Sequence, residues 1–366
     1  MNGITDGLKD IITKASLAAR GSSLSRIRRR NLSEPAAKWV VQSRIGSEVG
    51  YALSIVLATS GCSHARSEKG GCTMCSYILD GAGQNVPTED LIQQFQNALT
   101  SLKGLMAPIS VKVYTSGSFL DPVEVPPEAR AEILKAIDED DRVRQVVLES
   151  RPEYMTDETA SLVREILGDR EIEIGMGLES ADDGVRFLCI NKGFSLSEFE
   201  TALKTAASHG IGTRAYVLVK PPFLTERDAL LDALQTIIAA AELGATTISV
   251  NPVNVQKHTL VQRMWSRGHY RPPWLWTVTE ILKESRDQVA SDVNVVCDPV
   301  AAGKPRGTHN CGKCDDAFVK AIRQFSLDQS TSHFEVLDCG CKSQWSHVLE
   351  HEDFAQLVHS LRFHIP

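Results

Sequence analysis

The chain has 366 residues, 42% hydrophobic and 23% charged, which is ordinary for a globular protein with one large core or two modest ones. Its 39 Lys and Arg against 46 Asp and Glu leave a net charge of −7, so no global basic field draws nucleic acid, and such a substrate needs a local patch or a partner. No run approaches the roughly 20 apolar residues that span a bilayer, and MNGITDGLKDIITKAS lacks the basic-then-apolar order of a secretory signal, so the expected location is the cytoplasm, with no membrane partner.

After a helical N-terminal segment, short apolar runs at 51–59, 109–115, 144–150, 171–180, 213–220 and 246–252 read as buried strands. Between them lie helical stretches: TEDLIQQFQNALTSL, PEARAEILKAI, DETASLVREIL, SLSEFETALKTAASHG and ERDALLDALQTIIAAAELG. Ser195 with Glu198 and Thr225 with Asp228 open two of these in the manner of capping boxes, and Gly210 and Gly244 end two. Six strand-then-helix units predict a parallel sheet with helices outside, either doubly wound or an open barrel. Cys62, SGS (116–118), ESRP (149–152), GLES (177–180), KPP (220–222) and NPVN (251–254) each follow a strand end, the rim where such folds bind ligands. There is no short-period repeat.

Seven of the nine cysteines fall in two clusters, Cys62, Cys72, Cys75 and Cys311, Cys314, Cys339, Cys341, which in a cytosolic chain favours metal ligation over disulfides. Cys189 and Cys297 stand alone and read as small buried hydrophobes. In GCSHARSEKGGCTMCSY (61–77), three thiolates suit three irons of a cubic iron-sulfur cluster, with the fourth iron open for a chelating ligand. The alternative is a zinc site completed by His64.

The loop, with nine residues and then two between its cysteines, resembles the radical S-adenosylmethionine (SAM) superfamily in its Elongator-subunit-like branch. Tyr77 matches the aromatic often found after the last cysteine. The resemblance implies an open (β/α)6-type partial TIM barrel and a [4Fe-4S] cluster on Cys62, Cys72 and Cys75 that SAM chelates. It implies SAM contacts from the turn Ser116, Gly117, Ser118, from Glu149, Glu179 and Ser180, and from Arg214 to the carboxylate. GCTMCSYILDG (71–81), KPPFLTE (220–226), HNCGKCDD and DCGCKSQW resemble the archaeal enzymes that complete archaeosine, the archaeosine synthase β subunits, over residues 35–345.

That family is understood to act at position 15 of tRNA, where an α-subunit partner joins the ε-amino group of lysine to the nitrile of a preQ0 base. The implied activity is a carbon-nitrogen lyase. A reducing electron donor and SAM yield a 5′-deoxyadenosyl radical that takes hydrogen from the lysine ε-carbon, and the cut leaves archaeosine and a lysine-derived aldehyde. Lys220, Asn251, Asn254, Gln256 and His258, near strand ends, are the candidates for gripping the lysine tail.

The four tail cysteines resemble a closed tetrathiolate zinc site in a small C-terminal metal-binding module, with a second iron-sulfur cluster as the alternative. The expected division is a helical and basic extension (1–45), the barrel (46–300) and the cysteine-rich module (301–366). Arg20, Arg26, Arg28, Arg29 and Arg30 form a candidate phosphate patch or, equally, a solvated helix face, and Tyr270, Trp274 and Trp276 candidate base platforms or core contacts. Two other readings compete: a radical SAM enzyme of another substrate class, as in Elongator or porphyrin chemistry, and a non-catalytic iron-sulfur scaffold. The acetyltransferase domain of the Elongator enzyme is not expected after residue 345, which disfavours that reading.

Overall fold

Eight strands form one sheet in sequence order: β1 (Ala37–Ile45), β2 (Glu48–Val56), β3 (Ile109–Tyr114), β4 (Val143–Ser150), β5 (Glu171–Glu179), β6 (Gly212–Val219), β7 (Thr247–Pro252) and β8 (Asn294–Val296). The computed structural model describes residues 2–27 and 30–352, apart from the side chains of residues 2–5 and 26. Strands β2 to β8 pair in parallel, while β1 turns back on β2 and pairs with it antiparallel from Ile45↔Glu48 to Ala37↔Val56. The six predicted strands are β2 to β7, so the expected open α/β half-barrel is the observed fold, lengthened by β1 at one edge and β8 at the other. β1 escapes a periodicity argument because AKWVVQSRI is exposed along most of its length and has no buried run.

The helices are α1 (Asn2–Arg20), α2 (Thr88–Leu99), α3 (Pro127–Asp138), α4 (Asp157–Leu167), α5 (Leu196–Ser208), α6 (Glu226–Glu242), α7 (Leu275–Gln288), α8 (Asp315–Asp328) and α9 (Lys342–His351). Helix α7 is a sixth crossover, between β7 and β8, after the five expected ones, α2 to α6. Their apolar stripes (Leu91, Phe95, Ile133, Phe199, Ile237) share one core with Val111, Val113, Val146, Leu148 and Val217 of the strands. The predicted caps form as a capping box at Ser195 and an N-cap at Thr225, and Gly210 and Gly244 take positive φ where α5 and α6 end. No helix among the described residues is long and apolar enough to cross a membrane.

Residues paired across parallel strands point to the same face. The face opposite the helices therefore carries Ser54, Lys112 and Glu173 in lower rows and Tyr114, Glu149, Gly175, Arg214 and Thr247 above them. A ladder closes the bottom of this concave face, Ser110 Oγ to Gln145 Oε1 (2.8 Å) and Gln145 Nε2 to Glu171 Oε1 (2.8 Å). Arg44 Nε on β1 donates to Asn294 Oδ1 on β8 (3.2 Å), drawing the two sheet edges together at that end.

Candidate active site

β2 carries the chain to the C-terminal rim of the sheet, where residues 57–59 are buried and Gly61, at φ +96°, turns it into Cys62. After one helical turn, Ser63–Arg66, the insertion returns through Gly70 and Gly71 to Cys72 and Cys75. Segment 189–193, at the end of the π-helical turn Val185–Ile190, holds this loop. Thr73 N donates to Ile190 O (2.9 Å) and Thr73 Oγ1 to Cys189 O (2.7 Å), while Asn191 Nδ2 donates to Lys69 O (2.7 Å) and Gly71 O (2.9 Å). Asn191 sits at φ +57°, a conformation its short polar side chain tolerates. From α1, Arg20 is buried and donates to Ala65 O (3.2 Å) and Cys75 O (3.1 Å). Arg20 thus braces the loop and is not available to phosphates; Arg30 is exposed, and Arg28 and Arg29 lie outside the described residues, as does the side chain of Arg26.

All three loop thiols are half-buried. Burial and Cys72 push Cys75 up to about 12, and burial raises Cys62 with Arg151 opposing. Arg151 lies beside Cys62 and Cys72, and Lys192 beside Cys72, so positive charge is concentrated where thiolates must form. Among the described residues the tail quartet is the one His/Cys/Asp/Glu group whose ligand atoms all lie within 4.8 Å of each other. His64 joins no such group: its Nε2 bonds to Asn191 O (2.7 Å), and burial pulls the imidazole down to about 4.

The residues expected to contact SAM divide into two sets. Tyr77 is exposed, Ser116 and Glu149 are half-buried at the rim, and Glu179 ends β5 at φ +66° with Lys192 Nζ 2.8 Å from its Oε1. Ser116, Glu149 and Glu179 lie at or just past strand ends, and Tyr77 opens the 3-10 turn Tyr77–Asp80 after the cysteine loop, its carbonyl accepting from Ser116 Oγ (3.0 Å). The others are committed to internal partners. Ser118 Oγ is 2.8 Å from Ser150 Oγ, Ser180 Oγ donates to Asp232 (2.6 Å), and Arg214 donates twice to Glu173 Oε2 (2.9 and 2.6 Å). Gly117 is required by packing: a Cβ there would lie 2.6 Å from both Cys62 Cα and Glu124 Oε2. Glu124 organises this turn by accepting from Thr59 Oγ1 (2.6 Å), Gly117 N (3.1 Å) and Ser118 N (2.7 Å).

The candidate lysine-tail residues are dispersed. Lys220 Nζ is buried between Glu226 (2.7 Å) and Glu352 (3.5 Å) and lines a cleft of about 360 Å³ with Tyr270, Arg271 and His351. Gln256 accepts from Ser76 N (2.6 Å) in the cysteine loop, Asn254 accepts from Arg306 (3.2 Å), and His258 lies exposed at φ +61°. Asn251, half-buried, accepts from Ser249 Oγ (3.3 Å). Tyr270, Trp274 and Trp276 are buried core contacts and not platforms. Lys192 and Glu124 carry no motif signal of their own; the glycines of GMGLES hint at Lys192, since a Cβ at Gly177 would lie 2.3 Å from its Nζ.

The tail cysteines converge. Sγ separations are 3.9 Å (Cys311–Cys314), 3.7 Å (Cys311–Cys339) and 3.8 Å (Cys314–Cys341), a group able to bind a metal. Cys314 and Cys341 occupy the N-cap positions of α8 and α9 without a side-chain capping bond; burial pushes both thiols up, while the backbone N–H of Lys313 pulls Cys311 down to about 7. Trp276 Nε1 lies 3.4 Å from Cys341 Sγ and Asn310 Nδ2 3.5 Å from Cys314 Sγ.

No family model matches the chain. It is 41% identical over 322 residues to archaeosine synthase subunit beta of Methanosarcina acetivorans, covering 88% of this chain and 92% of that protein. It is 37% identical over 313 residues to the subunit of the same name from Thermococcus kodakarensis, covering 85% and 96%. An uncharacterized protein of Methanocaldococcus jannaschii is 35% identical over 358 residues, covering 96% and 95%. Among solved structures, the archaeal Elp3 of Methanocaldococcus infernus aligns with TM-score 0.48 at 14% identity over 60% of this chain and 55% of that chain. Methylornithine synthase aligns with TM-score 0.41 at 12% identity over 70% and 66%. At this identity and near-complete mutual coverage by the curated relatives, the chain belongs to the archaeosine synthase β-subunit family.

Proposed function

We propose that the chain is a radical SAM carbon-nitrogen lyase that converts the lysine-modified preQ0 base at position 15 of tRNA into archaeosine. The observation that carries this is the three-cysteine loop, clamped at the open rim of a parallel half-barrel with Arg151 and Lys192 beside its thiols. In this reading Cys62, Cys72 and Cys75 hold a [4Fe-4S] cluster, and Tyr77, Ser116, Glu149 and Glu179 surround the SAM that binds it. Ser118, Ser180 and Arg214 support these residues from behind. When bound, cluster and SAM supply a radical able to take hydrogen from an unactivated carbon, which side-chain acids and bases cannot do. The chain's own residues orient the lysyl arm and exclude water from the concave face.

The names of the curated relatives support a tRNA substrate and a partner subunit, and we assign the partner as the archaeosine synthase α subunit, with a low-potential reductant as electron donor. We assign Zn²⁺ to the tail. Zn–S bonds of about 2.3 Å give a tetrahedron with edges of about 3.8 Å, which agrees with sulfur separations of 3.7 to 3.9 Å. We also propose residues 46–300 as the catalytic unit and 301–366 as the metal-binding unit, working in the cytoplasm.

The test is anaerobic turnover of tRNA bearing the lysine-modified base by reconstituted, reduced protein. The expected outcome is 5′-deoxyadenosine and archaeosine rising together by mass spectrometry, and neither rising with Cys72→Ala. SAM cleavage with an unchanged base would overturn the substrate, and an intact cluster without 5′-deoxyadenosine would overturn the enzyme.

A further inference from the structure

The concave face holds a charged floor below the rim, built on Glu173 and Arg214, that reaches beneath the residues assigned to SAM. Glu173 is fully committed there: Oε2 accepts twice from Arg214, and Oε1 accepts from Thr246 (3.2 Å) and Thr247. Lys112 is left as the surplus cation. Its one hydrogen-bond partner among the described residues is the Ser43 hydroxyl on β1, 3.3 Å away. Burial and the Arg214 guanidinium pull its amine down to about 7, with Glu173 and Asp298 opposing only in part.

Two phenols stand over this floor. The Tyr216 hydroxyl is buried with no hydrogen-bond partner at bonding distance among the described residues, and the Tyr114 phenol is its polar neighbour. Gly175 makes room for it, since a Cβ at that position would lie 2.4 Å from the Tyr216 hydroxyl oxygen. The ring of Trp39, 42% exposed on edge strand β1, lies parallel to Tyr114 with centroids 6.4 Å apart. A buried amine held by one long hydroxyl contact, a phenol whose polar neighbour is another phenol, and an aromatic wall together suit an aliphatic chain that ends in a carboxylate.

We propose that Lys112 and the Tyr216 hydroxyl bind the α-carboxylate of the substrate's lysine tail, with the tail's methylenes against Tyr114 and Trp39 and its ε end at the rim. The assignment rests on the lyase reading for the identity of the tail. Depth is consistent with it. Lys112 lies two residues below Tyr114, the last residue of β3, roughly 7 Å, the scale of an extended lysyl chain from ε-carbon to carboxylate. The committed partners of Lys220, Gln256 and Asn254 leave this floor as the better receptor.

The test uses the reconstituted full chain and two nucleosides: the preQ0 base joined to L-lysine, and the same base joined to 1,5-diaminopentane, which lacks the carboxylate. Binding is followed by equilibrium dialysis with SAM present. Wild type should bind the lysine adduct at least about tenfold more tightly than the diamine adduct, as expected for a charge-assisted contact. Lys112→Met should abolish that preference while SAM affinity stays unchanged, and Tyr216→Phe should reduce it part way. Equal affinity of wild type for the two nucleosides overturns the proposal without reference to any variant. A loss of SAM affinity in Lys112→Met would give the carboxylate to SAM and overturn it as well. Turnover is read separately: a Lys112-dependent preference without base conversion keeps the pocket and removes the lyase reading, whereas conversion without a carboxylate preference does the reverse.

Discussion

Glu149 ends β4 with its carboxyl half-buried among other acids, and burial, with Glu124 adding repulsion and Lys192 opposing, pushes it up to about 8. Its ordinary value is near 4.5, so between those two values the folded chain keeps a proton that the unfolded chain has released. Stability contributed here is therefore present at low pH and lost as pH rises through the folded value, a decline on the order of a few kcal/mol at most. Glu149→Gln stays neutral throughout. Its Tm should fall less than that of wild type between pH 5 and pH 8, measured without SAM; parallel pH profiles would mean that the carboxyl is not strained by burial. The same residue shows what a sequence can convey. A polar residue after a strand marks the rim, but the cost of its charge comes from Glu124 and Lys192, neighbours in space that no spacing in the chain identifies.

At the scale of elements, periodicity conveyed β2 to β7 and the crossover helices because each buries one continuous face, and the caps at Ser195 and Thr225 are local in sequence. The cysteine loop could be read as a cofactor loop but not as a structure, because its supports come from far away: α1 through Arg20, and the segment after the π-helical turn through Asn191. Composition alone made Arg20 a phosphate contact, and burial made it a brace. Arg20→Ala should therefore leave two loop carbonyls unsatisfied, costing about 1–3 kcal/mol, and should lower the iron retained after reconstitution and speed cluster loss in air. Its tRNA affinity should keep the wild-type salt dependence. A phosphate contact would instead reduce the slope of log K against log salt by about one, and a variant with that slope change and normal iron content would remove the brace.

For the whole molecule, the tail cysteines decide how the C-terminal helices are joined to the barrel. Residues 311 and 314 precede α8, and residues 339 and 341 precede α9, so one metal held by all four would tie both helix starts together. Each helix then reaches the core by its own route. Ser326 on α8 bonds Cys297 N (2.9 Å), with Gln329 just beyond it bonding Val295 N (2.9 Å) at the β8 edge, while Trp345 on α9 stacks on Trp276 and donates to Thr277 of α7 (2.9 Å). Arg44 on β1 also donates to Leu327 O (3.3 Å), so the same tail steadies the strand that closes the far edge of the sheet. Loss of the metal should thus be felt across the sheet and not only locally. Cys314→Ser should release about one equivalent of zinc and leave loop iron unchanged, with Tm lowered by at least about 5 °C, equivalent to about 4 kcal/mol. It should also raise amide hydrogen exchange in β1 and β8 together. Metal analysis discriminates the alternative: if Cys314→Ser loses iron and the wild-type protein holds no zinc, the tail carries a second cluster, and its role moves from fastening the fold to carrying electrons toward the loop at the rim.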